Sequence, residues 1–244
     1  MNTANWIRSF VLSALLVTAP AWSAGGAGEL EPSGINVSDM AALQRGAKLF
    51  VNYCLSCHSA DYMRYNRLAE DLQLPEDVVM DNLVFADAKI GETMSIAMDP
   101  VQAEAWFGKT PPDLSLIGRS RGADWIYAYM RSFYRDESGA WNNTILPNAA
   151  MPHVWWRYQG IQEAVFKEDE HGNPVFDHFE LSTPGLLSPE EYDGMVRDLA
   201  TYLDYQSEPA KLKRKNVGIW VILFLAVFAF LAYLLKAEYW RDVH

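Results

Sequence analysis

The sequence predicts a mainly α-helical domain with a small β-hairpin and loop insertions, followed by one transmembrane helix near the carboxyl terminus. Three observations lead to this prediction. Apolar residues recur at helical spacing in several segments, one segment has the pattern of a hairpin, and nineteen consecutive residues near the end carry no charge. With 244 residues, 50% of them hydrophobic, the chain is long enough to bury a sizeable core.

Composition excludes several classes of protein. The formal net charge is −11, whereas nucleic-acid-binding proteins neutralise phosphates with basic patches, so we expect no nucleic-acid partner. Cys54 and Cys57 are the two cysteines of the chain, which rules out a disulfide framework.

Residues 1–24 have the features of an export signal. Arg8 is their only charge, and the apolar run Phe10–Ala19 is too short to span a bilayer. Small residues follow at Ala21, Ser23 and Ala24. We predict a signal peptide over residues 1–24, with an uncleaved amino-terminal anchor as the alternative.

The first helix of the predicted domain leads into the cysteines. Ser38 or Asp39 provides an N-cap. Apolar residues then follow with helical spacing at Leu43, Ala47, Phe50 and Val51.

Two further elements follow in the middle of the chain. The segment Ala123–Phe133 has the periodicity of a helix. The segment Ala164–Phe179 is typical of a hairpin around the turn His171-Gly172-Asn173-Pro174.

The last helix before the membrane segment is predicted by a clear start signal and by an apolar stripe. Ser188-Pro189-Glu190-Glu191 is a capping box with proline at the first helical position. An apolar stripe follows, made of Tyr192, Met195, Val196, Leu199, Tyr202 and Leu203. Because Gly46 allows a close helix crossing, we expect this helix to lie on the first one, with Phe50 against Tyr202.

The uncharged segment Val217–Leu235 predicts a transmembrane helix. At about 1.5 Å per residue it spans about 28 Å, close to the hydrocarbon thickness of a bilayer. Tyr233, Tyr239 and Trp240 fit an interfacial aromatic belt. A buried core helix is the alternative.

The orientation of this helix involves a conflict between two signals. The basic cluster Lys211, Lys213, Arg214 and Lys215 precedes it, and the positive-inside rule would place that flank in the cytoplasm. The export signal places the preceding domain outside, and long domains translocate largely regardless of charge.

We therefore predict a periplasmic domain over 25–210, a basic juxtamembrane segment over 211–216, the membrane helix over 217–235, and a cytoplasmic tail over 236–244. The basic cluster is then expected to contact lipid head groups or a partner subunit.

The segment Cys54-Leu55-Ser56-Cys57-His58 has the pattern C-x-x-C-H, which is typical of covalent attachment of c-type haem. Two thiols at this spacing can bond the two vinyl groups of one porphyrin, and the adjacent histidine can ligate the iron. A thioredoxin-like pair would follow a strand, but the upstream segment is predicted to be helical. A zinc site would need two further ligands, and there is no second cysteine pair. We therefore predict a c-type cytochrome domain with one covalently bound haem c.

The C-x-x-C-H motif supplies one iron ligand, the histidine, so the sixth ligand of the iron has to be sought elsewhere in the chain. Methionine raises the reduction potential, histidine lowers it, and an open position favours ligand binding or peroxidase chemistry. Met151 is the preferred candidate, because it lies in an irregular segment held by Pro147 and Pro152. Further candidates are Met94 and Met98, and then the histidines His153, His171 and His178. The remaining methionines of the mature chain are better explained by the core: Met40, Met63, Met80, Met130 and Met195.

Several segments together resemble one family over essentially the whole mature chain. They are Gly46–His58 with Asp61-Tyr62 and Tyr65, Pro111–Ser115 with Arg119 and Arg121, Ala150-Met151-Pro152, and Asp198, Thr201–Leu203, Tyr205 and Glu208-Pro209. With a basic cluster before one membrane anchor, the chain resembles cytochrome c1, the haem subunit of the quinol–cytochrome c oxidoreductase. The methionine loop departs from the family, which often has a more proline-rich stretch there.

The resemblance implies roles for individual residues. Cys54 and Cys57 would be the thioether anchors, and His58 and Met151 the axial ligands. Arg121 would lie beside a haem propionate, with an exposed surface charge as the alternative. Pro111 and Pro112 would pack on the histidine side, where a backbone carbonyl could orient His58.

The resemblance also implies a function. The chain would carry single electrons from a Rieske iron–sulfur protein to a soluble or membrane-bound c-type cytochrome, without substrate chemistry of its own. Its other partner would be a cytochrome b subunit, in a dimeric complex of the bacterial inner membrane. The alternative is a stand-alone haem enzyme or sensor with an open iron site.

Overall fold

The structure, a computed structural model, describes residues 30–85 and 87–242, so the predicted signal peptide lies outside the described residues. The helices are α1 (Met40–Tyr53), α2 (Tyr65–Asp71), α3 (Glu76–Leu83), α4 (Pro100–Phe107), α5 (Ile117–Ser120), α6 (Ala123–Arg131), α7 (Trp156–Gln159), α8 (Pro189–Ser207) and α9 (Lys211–Tyr239). The strands are β1 (Ala60–Arg64), β2 (Thr93–Met94), β3 (Phe133–Arg135), β4 (Trp141–Asn143), β5 (Gly160–Glu168) and β6 (Pro174–Pro184). The described chain is thus mainly helical, as predicted.

The helices α1 and α8 form the centre of the core. Asp39 caps α1 by accepting a hydrogen bond from the backbone of Ala42, and the predicted capping box of Ser188 and Glu191 begins α8. The rings of Phe50 and Tyr202 lie 5.5 Å apart. The predicted contact between these two helices is confirmed.

Gly46 sets how closely the two helices approach. A Cβ atom at this position would lie 2.2 Å from the backbone oxygen of Asp198 and 2.6 Å from Cβ of Tyr202. Neither neighbour is the flexible end of a side chain, so only glycine fits this crossing without a shift of the backbone.

We expect Gly46→Ala to lower the free energy of unfolding by about 3 kcal/mol, the upper end of the usual cost of overpacking a core. The matched control is Gly194→Ala in α8, where a Cβ atom meets nothing within 4 Å. That change should instead raise the free energy of unfolding by about 0.5–1 kcal/mol, because alanine favours a helix more than glycine does. Denaturant unfolding of both variants checks the pair. Equal effects at the two positions would contradict the assigned crossing.

The β structure is more extensive than the predicted hairpin. The strands β5 and β6 pair from Gly160–Pro184 down to Glu168–Pro174, so they include the predicted Ala164–Phe179 and extend beyond it. Together with β3 and β4 they form a sheet in the order β4-β3-β5-β6, in which β3 and β5 run parallel. A second pair joins β1 to β2.

The helix predicted over Ala123–Phe133 ends at Arg131. The hydroxyl of Ser132 donates to the carbonyl of Ala128, and Phe133 begins β3 opposite Asn143. The last two positions of the prediction were therefore wrong, because a cross-strand pairing replaces the helix there.

The carboxyl-terminal helix α9 contains the predicted membrane segment. Its apolar span, Val217–Tyr239, has a mean hydropathy of 2.7 and is exposed along its length, so it is long and apolar enough to cross a membrane. The helix begins at Lys211, so the basic segment forms its first turns, and it continues beyond Leu235 to Tyr239.

The basic residues at the start of α9 contact carboxylates of the helical domain. We call the following contacts the juxtamembrane ion pairs: Lys211–Asp204 at 2.7 Å, Arg214–Glu208 at 2.6 Å, and Lys213–Glu70 at 3.6 Å. The first is the most buried, with side chains 22% and 10% exposed. These three cations therefore tie α9 to the helical domain, a role that the sequence analysis did not predict.

Candidate functional site

The C-x-x-C-H segment forms a tight turn at the end of α1. The backbone N–H of Cys54 donates to Phe50, and the N–H groups of Cys57 and His58 both donate to the carbonyl of Cys54, at 3.0 and 2.8 Å. Both thiols are free, Cys54 buried and Cys57 half-buried. Burial raises the pKa of the Cys54 thiol to about 12, so it is protonated at neutral pH.

His58 is held by a backbone carbonyl. Its Nδ1 lies 2.7 Å from the oxygen of Pro112, and because a carbonyl only accepts, Nδ1 is the donor. The proton therefore sits on Nδ1, and the lone pair of Nε2 is available to a metal. Burial lowers the pKa of His58 against the opposing effects of Pro112 and Asp113, which favours the neutral imidazole.

Hydrogen bonds hold the loop that carries Pro112 against the segment after His58. Asp113 accepts hydrogen bonds from the Ser59 hydroxyl at 2.7 Å and from the Asp61 N–H at 2.9 Å, and the N–H of Leu114 donates to the carbonyl of Ser59. Burial opposes ionisation of Asp113, but its hydrogen bonds outweigh burial and lower its pKa. Asp113 thus positions the carbonyl that orients His58. Asp113 lies within the segment Pro111–Ser115 that resembles the family, but no role was predicted for it.

Pro111 lies half-buried immediately before this loop. Only the carbonyl of Pro112, and not that of Pro111, bonds the His58 ring.

Met151 lies in an irregular segment between β4 and α7. It is partly buried and packs against the core cluster that also contains Cys54. Met94, by contrast, is fully buried in β2, and its sulfur lies 3.7 Å from the hydroxyl of Tyr202. Met98 is half-buried in the segment before α4. A loop position and partial burial distinguish Met151 from Met94, whose sulfur already has a partner in the core.

The candidate histidines occupy two kinds of environment. His153 is buried, its ring stacks on that of Phe133, and burial lowers its pKa to about 4. His178 lies on the exposed hairpin, where a hydrogen bond with Asp177 raises its pKa. His171 is exposed in the turn of the same hairpin.

Arg121 is exposed at the end of α5. Its guanidinium lies over the ring of Trp125, 5.1 Å from the centroid, an arrangement that is typical of a cation–π contact. The ring holds the cation in place but leaves its N–H donors in the guanidinium plane for an anionic partner.

The donor set fits a c-type haem. Two free thiols three residues apart can attach the porphyrin, and an imidazole with Nε2 available and a thioether on a loop can ligate the iron. Within residues 30–85 and 87–242, no three His, Cys, Asp or Glu side chains are grouped so as to hold a metal ion, which weighs against the zinc alternative.

Comparison with known proteins identifies the family of this chain. The model of the cytochrome C1 family matches residues 33–243. The chain belongs to the cytochrome c1 family. The resemblance seen in the sequence is thereby confirmed, and membership of this family implies a c-type haem.

Two individual relatives cover nearly the full length of this chain, and a third covers most of it. It is 48% identical to cytochrome c1 of Allochromatium vinosum, over 98% of this chain and 100% of the relative. It is 45% identical to a Nitrosomonas europaea protein named ammonia monooxygenase gamma subunit, over 98% of this chain and 99% of the relative. It is also 27% identical to cytochrome b/c1 of Bradyrhizobium diazoefficiens, over 84% of this chain and 34% of that longer protein.

Proposed function

We propose that this chain is the membrane-anchored monohaem electron carrier of a quinol–cytochrome c oxidoreductase. It takes electrons from a Rieske iron–sulfur protein and passes them to a c-type cytochrome in the periplasm. The observation that supports the redox role most directly is the hydrogen bond from His58 Nδ1 to Pro112, at the end of a C-x-x-C-H turn. This bond presents Nε2 as an axial ligand and makes the imidazole a better donor.

Different residues of the chain would bind different parts of the haem. Cys54 and Cys57 would hold the porphyrin through two thioether bonds, and His58 and Met151 would ligate the iron. Arg121, held over Trp125, pairs with a propionate. When bound, the haem supplies a single one-electron centre. The thioether of Met151 favours the reduced iron and so gives a high potential.

The proposed assembly contains a cytochrome b subunit and forms a dimer in the bacterial inner membrane. Support for cytochrome b comes from the relative that is named cytochrome b/c1. The apolar helix α9 anchors the chain, and the predicted signal peptide places the helical domain in the periplasm.

Purification of the full chain from its native membrane tests this proposal. We expect cytochrome b and a Rieske protein to copurify, and the reduced haem to remain six-coordinate and unreactive towards carbon monoxide. The stand-alone enzyme or sensor predicts the opposite on both counts. A chain that purifies without partners and binds carbon monoxide rapidly would overturn the proposal.

A further inference from the structure

We propose that Asn143 and His153 are positioning residues that hold the Met151 loop, residues 144–152, at its two ends and so keep the thioether on the iron. This inference rests on the proposed function, in which Met151 is an axial ligand. It extends that function by naming the groups that determine how firmly the ligand is held.

The upstream end of the loop is held by asparagine side chains. Asn143, only 1% exposed at the end of β4, accepts hydrogen bonds through Oδ1 from the N–H groups of Ile145 and Leu146, at 2.9 and 3.0 Å. Its Nδ2 donates to the carbonyl of Tyr129 at 2.8 Å. One amide therefore folds the start of the loop and also attaches it to α6.

The side chain of Asn142 makes a further bond at the same end. Its Oδ1 accepts from the N–H of Asn148 at 2.9 Å. Asn148 has φ +60°, in the left-handed region that asparagine tolerates better than most residues. This bond stabilises the reversal of the chain shortly before Met151.

The downstream end of the loop is held by an aromatic stack. His153 is 2% exposed, and its ring lies 5.0 Å from that of Phe133 with an interplanar angle of 4°. The ring of Trp141 meets it edge-on at 5.2 Å. Neither ring nitrogen of His153 makes a hydrogen bond of normal geometry to a residue that the structure describes, although the side chain of Gln159 lies close enough to oppose the lowering of its pKa. Stacking and burial therefore hold this side chain, and Pro152 connects it rigidly to Met151.

Both ends are attached to the same support. Asn143 bonds the carbonyl of Tyr129 in α6, and His153 stacks on Phe133, the first residue of β3. The rings of Tyr129 and Phe133 are themselves 5.0 Å apart. A loop closed at both ends on one rigid support has little conformational freedom left to lose when its thioether binds, so the ligand is preorganised.

Displacement of methionine by imidazole tests the proposal in the full-length ferric protein with its haem. Imidazole competes for the position of Met151, and its binding removes the absorption band of methionine bound to ferric iron. We expect Asn143→Ala and His153→Ala each to increase the apparent affinity for imidazole by about tenfold, the factor that corresponds to loss of one or two hydrogen bonds or an equivalent contact. His153→Phe keeps the stack and should bind imidazole like the unmodified protein.

Controls separate loss of positioning from general loss of stability. Val79→Ala truncates a fully buried side chain in α3, and it should lower the melting temperature without changing the affinity for imidazole. If Asn143→Ala does not fold, Asn142→Ala removes the bonds that its side chain accepts from the N–H groups of Asn143 and Asn148, keeps the Asn143 side chain, and should still increase the affinity.

Specific results would overturn the inference. It is wrong if His153→Ala and either asparagine variant bind imidazole no more tightly than Val79→Ala. It is also wrong as stated if His153→Phe binds as tightly as His153→Ala, because the ring nitrogens would then be the important groups. Failure of the proposed function looks different: Met151→Leu would itself retain the methionine band.

Discussion

Replacing Met151 by histidine is expected to keep the haem iron six-coordinate and to lower its reduction potential by a sizeable part of the roughly 0.8 V that axial ligands control. An imidazole is a harder and stronger donor to ferric iron than a thioether, so it stabilises the oxidised state. Electrons would then remain on the iron–sulfur donor, and turnover of the assembly would collapse although the haem content stays normal. A redox titration of the full chain measures the shift.

Leucine substitutions provide the controls for this prediction. Met151→Leu removes the donor and should open the reduced iron to carbon monoxide, whereas Met98→Leu should change neither ligation nor potential. Met94→Leu should leave the potential unchanged but cost about 1 kcal/mol of stability, because the buried hydroxyl of Tyr202 loses its contact with sulfur. Loss of the methionine band in Met98→Leu or Met94→Leu, with its retention in Met151→Leu, would show that the ligand is misassigned.

Replacing both Cys54 and Cys57 by serine is expected to abolish covalent attachment of the haem. A serine hydroxyl does not form the thioether bond to a porphyrin vinyl group, so any remaining haem would be held only by its axial ligands. Acidified organic solvent should then extract all of it, whereas none should be extracted from the unmodified chain. Mass spectrometry of the intact polypeptide measures the loss directly.

Variants with only one cysteine replaced distinguish the contributions of Cys54 and Cys57. Cys57→Ser changes a half-buried side chain and should leave one thioether bond with little effect on the fold. Cys54→Ser puts a hydroxyl into a buried position and should also lower stability. Ser56→Ala, between the two cysteines, should leave attachment intact. Full covalent attachment in the double variant would exclude the predicted linkage.

The parts of this fold that could be predicted from sequence depend on local chemistry. The capping box at Ser188 acts within the first turn of α8, so a short stretch of sequence predicts it. Gly46 was expected to allow a close crossing because it has no side chain, although the atoms that it meets belong to α8. The strands β3 and β4 have three residues each and show no alternating pattern. Their pairing depends on partners elsewhere in the chain, which is why Phe133 was assigned to the preceding helix.

In the candidate site, too, local motifs could be predicted from the sequence, whereas contacts between distant residues could not. The C-x-x-C-H motif predicts its chemistry because the spacing itself determines which atoms meet. Nothing in the sequence indicates that the ring of His153 stacks on Phe133, since the two residues are twenty positions apart and come together only when α6 and β3 are in place. The basic residues in the first turns of α9 were expected to contact lipid or a partner subunit. The carboxylates that pair with Lys211 and Arg214 are instead Asp204 and Glu208, on the other side of the break at Pro209.

The juxtamembrane ion pairs have a mechanical consequence. A hydrophobic helix tilts to match the thickness of the bilayer around it. Lys211 and Arg214 hold the start of α9 against the helical domain. A tilt of the membrane helix would therefore rotate that domain with it, because the junction between them does not bend freely. The lipid composition of the membrane would then influence the orientation of the helical domain relative to the bilayer.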